Sequence, residues 1–140
     1  MLMIRRNQAR FLSVLIVLAA TGCSGQTEGP QRHTLSGTVT YNGQPVPAGE
    51  IIISPDSAAG NNGLGSYAVI KDGLYETAPD KGITGGAYIL NLTGFDGVPF
   101  KSDDGAETFL QGKTLFSDYK FKHQFQEQNA TLNIEVPAKQ

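Results

Sequence analysis

Few side chains in this 140-residue chain are of a kind that does chemistry, and they are sparse. There is one cysteine, Cys23, and there are two histidines, His33 and His123. That set cannot supply the four ligands of a typical structural zinc site. No Gly-x-Ser-x-Gly sequence presents a serine as an activated nucleophile. His123 sits in an alternating run and reads as a residue on a strand face. Carboxylates cluster once, at Asp103, Asp104 and Glu107, with Asp96 upstream. Oxygen ligands on a loop could hold calcium, but the spacing is not that of an EF-hand, and a solvated acidic loop is the plainer reading. The same stretch, 95–118, carries Phe95, Phe100, Phe109 and Phe116 with Lys101 and Lys113. It is the longest segment without a periodic pattern, and long loops on a rigid scaffold are where binding residues collect. Asp96, Phe100, Asp103, Asp104, Glu107 and Phe109 are therefore the candidate ligand-binding residues. The alternative is that the phenylalanines only pin the loop to the domain. Nothing here calls for a metal or an organic cofactor.

Cys23 has a setting of its own. Arg5, Arg6 and Arg10 precede an apolar run over 11–20 (FLSVLIVLAA), followed by Thr21 and Gly22. Ten apolar residues are too few to span a bilayer, which takes roughly 20, but they suit the core of an export signal. A lone cysteine in an exported protein has no partner for an intrachain disulfide. Small residues just before a cysteine, at the end of such a run, resemble the lipobox of bacterial lipoproteins, with Ala20 where Leu, Val or Ile is usual. The resemblance implies a diacylglyceryl group on the Cys23 thiol, cleavage in front of it and acylation of the new amino terminus. It also implies export, and anchoring in the cell membrane or the outer membrane, with membrane lipid as the first partner. Two or more acyl chains hold stably where one is marginal. The expected organisation is a signal over 1–22, a lipidated cysteine and flexible tether over 23–32, and one domain over 33–140. The polar stretch 24–31 (SGQTEGPQ) would reach on the order of 16 Å.

Composition bounds what that domain can be. Gly (17) and Pro (7) are abundant, only 17% of residues are charged, and no basic run appears after residue 22. This excludes coiled coils and charged disordered chains, and it argues against nucleic acid as a partner. Residues 23–140 carry eight Lys and Arg against 13 Asp and Glu, a net charge of −5. As a whole such a domain is repelled by anionic headgroups rather than drawn to them, which predicts that it sits off the membrane.

Short apolar stretches separated by turn residues predict an all-β domain. Strict alternation marks strands over 35–41, 88–93, 119–125 and 131–136, and shorter apolar runs mark 50–54, 66–71 and 74–77. Asn42-Gly43 and Asp72-Gly73 supply tight turns, while Pro45 and Pro47 forbid a regular central strand between them. Short helical turns could fit only around 106–111. About seven strands with turns every eight to twelve residues predict an antiparallel two-sheet Ig-like sandwich.

Three motifs carry a resemblance over residues 35–92. The opening reads Gly37-Thr-Val39-Thr-Tyr41-Asn-Gly43-Gln-Pro45-Val46, followed by Gly49-Glu-Ile51-Ile-Ile53; later come Asp72-Gly73-Leu74-Tyr75 and Gly85-Gly86-Ala87-Tyr88. In this order they resemble the carboxypeptidase regulatory-like and transthyretin-like β-sandwich domains, with Gly85 where those often have proline. The resemblance implies buried rings at Tyr75 and Tyr88, each hydroxyl meeting a backbone acceptor. It also raises two enzymes. Neither histidine begins the His-x-x-Glu motif of a zinc carboxypeptidase. The chain ends Pro137-Ala138-Lys139-Gln140, without the terminal Tyr-Arg-Gly-Ser of the hydroxyisourate hydrolases, and its only arginine after the signal is Arg32. The expectation is a non-catalytic, lipid-anchored envelope protein that displays one such domain for structural or interaction purposes, with an envelope protein or a glycan as partner. The alternative is a binding module for a glycan, peptide or calcium ion through 95–118.

Overall fold

The computed structural model describes residues 29–138; Cys23, the apolar run before it and residues 24–28 of the expected tether lie outside the described residues. Eleven strands follow in order: β1 (Leu35–Tyr41), β2 (Gln44–Pro45), β3 (Ala48–Pro55), β4 (Ser66–Lys71), β5 (Leu74–Glu76), β6 (Gly86–Phe95), β7 (Phe100–Lys101), β8 (Thr108–Phe109), β9 (Thr114–Phe125), β10 (Ala130–Thr131) and β11 (Ile134–Val136). The one helical turn among the described residues is at Ser57–Ala59, not around 106–111, where a β-hairpin arm and a turn stand instead. Both expected tight turns are present, with φ of 49° and 75° at Asn42-Gly43 and 51° and 77° at Asp72-Gly73. Two consecutive positive φ values give a turn whose twist matches that of the strands it joins.

Nine strands share one hydrogen-bonded sheet, in the order β10-β1-β5-β4-β3-β6-β9, with β2 and β11 also on β1; β7 and β8 form a separate hairpin. The strand count is eleven rather than about seven, and the pairing is not antiparallel throughout, because β10 and β11 run parallel to β1. Both corrections come partly from the closing segment. The expected strand 131–136 is interrupted at Leu132 and Asn133, where the Asn133 Oδ1 accepts the Thr38 amide at 3.1 Å in place of a ladder bond. The Leu132 carbonyl turns inward and accepts the Tyr75 hydroxyl at 2.6 Å. Gly37 makes this possible, since a Cβ there would lie 2.0 Å from that carbonyl oxygen. Burial pushes the Tyr75 hydroxyl pKa up, which keeps it a donor to this oxygen.

The sheet curls until side chains from its two ends pack together over the core. Tyr41 on β1 and Phe116 on β9 pack with ring centroids 5.3 Å apart, and Tyr119 and Phe121 of β9 share a small groove with 132–135. Inside lie the alternate residues of each strand, among them Leu35 and Val39, Ile51 and Ile53, Ala68 and Ile70, and Tyr88, Leu90 and Leu92, all buried. Tyr88 is fully buried, and its hydroxyl bonds the Leu64 carbonyl at 3.2 Å and receives the Thr84 amide at 3.1 Å. Each buried aliphatic side chain contributes about 1.5–3 kcal/mol, so this one core suffices for a domain of this size without a disulfide.

β9 carries a bulge that the alternation of the sequence does not show. Leu92 pairs with Tyr119 and Gly94 with Phe116, so two residues of β9 oppose one of β6. The extra residue is Asp118, at φ 60°, held by Asn91 at 2.9 Å and by Lys120 at 2.9 Å. Nothing pairs with the outer edge of β9 among the described residues, and the bulge with Lys120 and Lys122 guards that edge against indiscriminate pairing.

Lys122 also reaches the buried Asp56 carboxylate at 2.9 Å. The hydrogen bond from Lys122 is the largest cause holding the Asp56 carboxyl below its ordinary value; burial opposes it, and the Lys122 charge and the Ala59 and Ala58 amides add to it. A depressed folded pKa contributes stability above the unfolded carboxylate pKa of about 3.9, and that stability is lost as pH falls through the folded value. A Lys122→Gln variant removes the cation, raises the Asp56 pKa and is expected to begin acid unfolding at a higher pH than the parent. Superimposed acid-unfolding curves from circular dichroism would contradict this.

Candidate functional site

The chain enters the fold at one end of β6 and the candidate loop leaves from the other. At the first end the Arg32 Nε donates to the Gly82 carbonyl at 2.9 Å, its guanidinium also reaches the Gly65 carbonyl, and His33 and Ile83 exchange backbone bonds at 2.7 and 2.9 Å. Gly82 and Ile83 lie four and three positions before β6 begins at Gly86; β6 ends at Phe95, where segment 96–113 begins. Ten residues of strand cover about 30 Å. Arg32, expected at the end of a flexible tether, is thus already tied to the domain.

The segment 96–113 is built, not loose. Asp96 closes its base: its Oδ1 accepts the amides of Val98 and Lys113, both at 2.9 Å, while its own amide donates to the Lys113 carbonyl at 2.9 Å. Gly97 adds a bond to the Gln111 carbonyl at 2.9 Å. Above this clamp β7 and β8 pair, Phe100 opposite Phe109 and Lys101 opposite Thr108. Asp104 organises the tip: its Oδ1 accepts the Ser102 hydroxyl at 2.5 Å and the Ala106 amide at 3.1 Å. The Ser102 bond, then the Ala106 amide, hold the Asp104 carboxyl below its ordinary value against a small opposing effect of burial. Asp103 and Glu107 are exposed. Asp96 and Asp104 therefore direct an oxygen at their own backbone rather than at a shared point, and no group of three or more His, Cys, Asp or Glu placed to hold a metal lies among the described residues.

The four phenylalanines divide. Phe116 belongs to the core, and Phe95 ends β6 half-buried. Phe100 and Phe109 instead stack on one another, centroids 4.9 Å apart and planes at 19°, with the Lys113 ammonium 6.0 Å from the Phe100 centroid. Phe109 remains 43% exposed, and the neighbouring Val98 and Leu110 are 64% and 75% exposed. The structure thus brings Phe100 and Phe109 together on a hairpin braced by Asp96 and Asp104, and it leaves Asp103 and Glu107 at the solvated tip. The two histidines take no part: the His123 ring packs 4.5 Å from Phe125, and His33 lines a separate groove with Thr84 and Glu127.

Gly112 is the residue of this site that sequence reasoning passes over. It has φ 88°, and a Cβ on it would lie 1.9 Å from the Asp96 Oδ1 and 2.6 Å from the Val98 amide. A Gly112→Ala variant is expected to lose the clamp, at a cost of about 1–3 kcal/mol, and to become sensitive to limited proteolysis within 96–113. Unchanged cleavage with an unchanged melt would contradict this. Only a fold-level contact across sixteen residues marks Gly112, and no local sequence signal could have found it.

No protein-family model, curated protein or solved structure matches this chain.

Proposed function

We propose that this chain is a non-catalytic envelope lipoprotein, exported and anchored through acylated Cys23, that holds out a transthyretin-like β-sandwich as an interaction module. In this reading the curled sheet is the sandwich that the three motifs imply, its two halves closed over one core. The observation that carries the proposal is polarity: the chain enters at Arg32, and an aromatic hairpin is presented at the opposite end of β6. Exposed apolar side chains on a braced hairpin are the form an interaction surface takes. Fractionation tests the anchoring. Carbonate and high salt should leave the protein in the membrane and detergent should release it; release by carbonate contradicts the proposal.

A second reading is favoured by the exposed edge of the Phe100–Phe109 stack, which suits an apolar sugar face or a peptide side chain. A glycan array probed with the chain and with Phe109→Ala distinguishes it: hits lost in the variant support a glycan module, and an array without hits removes that reading. Calcium has weaker support, because two of the four carboxylates already bond backbone amides. Calcium titration should leave the thermal midpoint unchanged. A rise abolished by Asp103→Ala with Asp104→Ala would restore the calcium module.

A further inference from the structure

The outer face of the sheet carries exposed apolar side chains close to the point where the chain enters. On the outer face of the sheet, Ile52 of β3 pairs with Tyr67 of β4, and both side chains point away from the core, 45% and 49% exposed. They floor an open groove of about 460 Å³ whose rim carries Arg32 and Lys81. Leu64, 47% exposed, adjoins Gly65 at the groove's edge. Neither Arg32 nor Lys81 has an ion-pair partner among the described residues. Acidic groups on or beside this face include Glu50, which receives the Tyr67 hydroxyl at 3.1 Å on the side toward the aromatic hairpin; Asp118, which is bonded at 2.9 Å to Asn91, the neighbour of Ile52 on β6, and is paired with Lys120; and Asp80, next to Lys81 in the chain.

We propose that this groove seats on the anionic surface of the bilayer that holds Cys23, so that the domain docks through Arg32, Lys81, Ile52 and Tyr67 rather than swinging free. The proposal rests on the lipoprotein reading above. Two observations choose a lipid surface as occupant. The first is where the chain enters: Arg32, nine positions after Cys23, is itself part of the groove lining. The second is charge. Two cations without an ion-pair partner among the described residues border an apolar floor with a tyrosine, the combination that sits at headgroup level, with basic groups on phosphates and an amphipathic ring at the interface. The net charge of −5 predicts repulsion for the molecule as a whole, but at physiological ionic strength charges farther than about 8 Å from the surface are screened, and the local pair decides the orientation.

The chain contains no tryptophan, so a single introduced one is a clean reporter. Full-length protein carrying Tyr67→Trp, or Phe109→Trp as the distal control, is extracted from membranes and its intact mass recorded. It is then reconstituted into phosphatidylcholine vesicles with 30% phosphatidylglycerol and a nitroxide-headgroup quencher. The expected result is at least twofold stronger quenching of the Tyr67→Trp reporter than of the Phe109→Trp reporter. That difference should be lost in vesicles of phosphatidylcholine alone, and reduced by Lys81→Gln, a change that removes no hydrogen bond or ion pair made by that side chain among the described residues. Equal or absent quenching in protein whose mass shows acylated Cys23 overturns the proposal and leaves the anchoring reading standing. A mass without lipid overturns the anchoring reading; the groove is then judged by co-sedimentation with the same anionic vesicles, and failure to sediment overturns it too. Shielding of the Tyr67→Trp reporter by self-association without headgroup quenching would assign the groove to a second copy, which also overturns the proposal.

Discussion

A Cys23→Ser variant is expected to incorporate no labelled palmitate, where the parent chain incorporates it readily, and to keep the parent's thermal midpoint. The effect is all or none because acylation requires the thiol, and no other cysteine exists in the chain. Each buried methylene contributes about 0.8 kcal/mol to membrane binding, and more than one acyl chain makes the attachment stable. Among the described residues the first side chain bonded to the domain is that of Arg32, nine positions downstream, and the core begins at Leu35, so the fold gives no reason for the midpoint to move. Incorporation of label is the sound readout, since an uncut apolar run over 11–20 could itself keep the variant with membranes. Palmitate on the Cys23→Ser variant would contradict the account at its root, and so would a parent chain that takes up none.

The second large effect is on stability. Gly37 lies against the Leu132 carbonyl, where a Cβ would come within 2.0 Å of the oxygen and 2.7 Å of its carbon. That contact is backbone on backbone, so no side chain can rotate away. It also sits where β1 must hold β5, β10 and β11 together. A Gly37→Ala variant is expected to lose about 3 kcal/mol, a drop of roughly 10–20 °C in the thermal midpoint for a domain of this size. Tyr75→Phe is the companion. It removes only the hydroxyl that bonds the same carbonyl at 2.6 Å, a loss of about 1 kcal/mol. The account requires this order of severity. A Gly37→Ala protein that melts with the parent would mean that the closing segment does not cross β1 as described.

What the sequence disclosed and what it hid follow from the range of the interactions involved. The alternation of Tyr88, Leu90 and Leu92 against Ile89, Asn91 and Thr93 is a local property, and those residues lie on the predicted strand. So are the two turns that positive-φ residues make at Asn42-Gly43 and Asp72-Gly73. The expected strand 119–125 was the visible half of β9. Asp118 inserts an extra residue, so that Phe116 and Tyr119 both face inward three positions apart, and a period of two breaks there. The parallel docking of Ile134 beside Val39 joins residues 95 apart and leaves no local trace. The arms of the aromatic hairpin are two residues each, too short for any periodicity to register, although the loop that holds them stood out by length and by its phenylalanines. Asp96, Phe100, Asp104 and Phe109 do meet in that loop, but the two carboxylates serve as braces rather than as ligands. An aspartate that caps amides across seventeen residues reads in sequence like one that awaits a cation.

The most direct test of the central claim is the intact mass of the native protein extracted from membranes, with its N-terminal fragment sequenced. The account predicts a chain that begins at Cys23 and carries the added mass of a diacylglyceryl group and an amide-linked acyl chain. A chain that begins elsewhere, or at Cys23 with no added mass, would contradict it and make this a freely diffusing β domain.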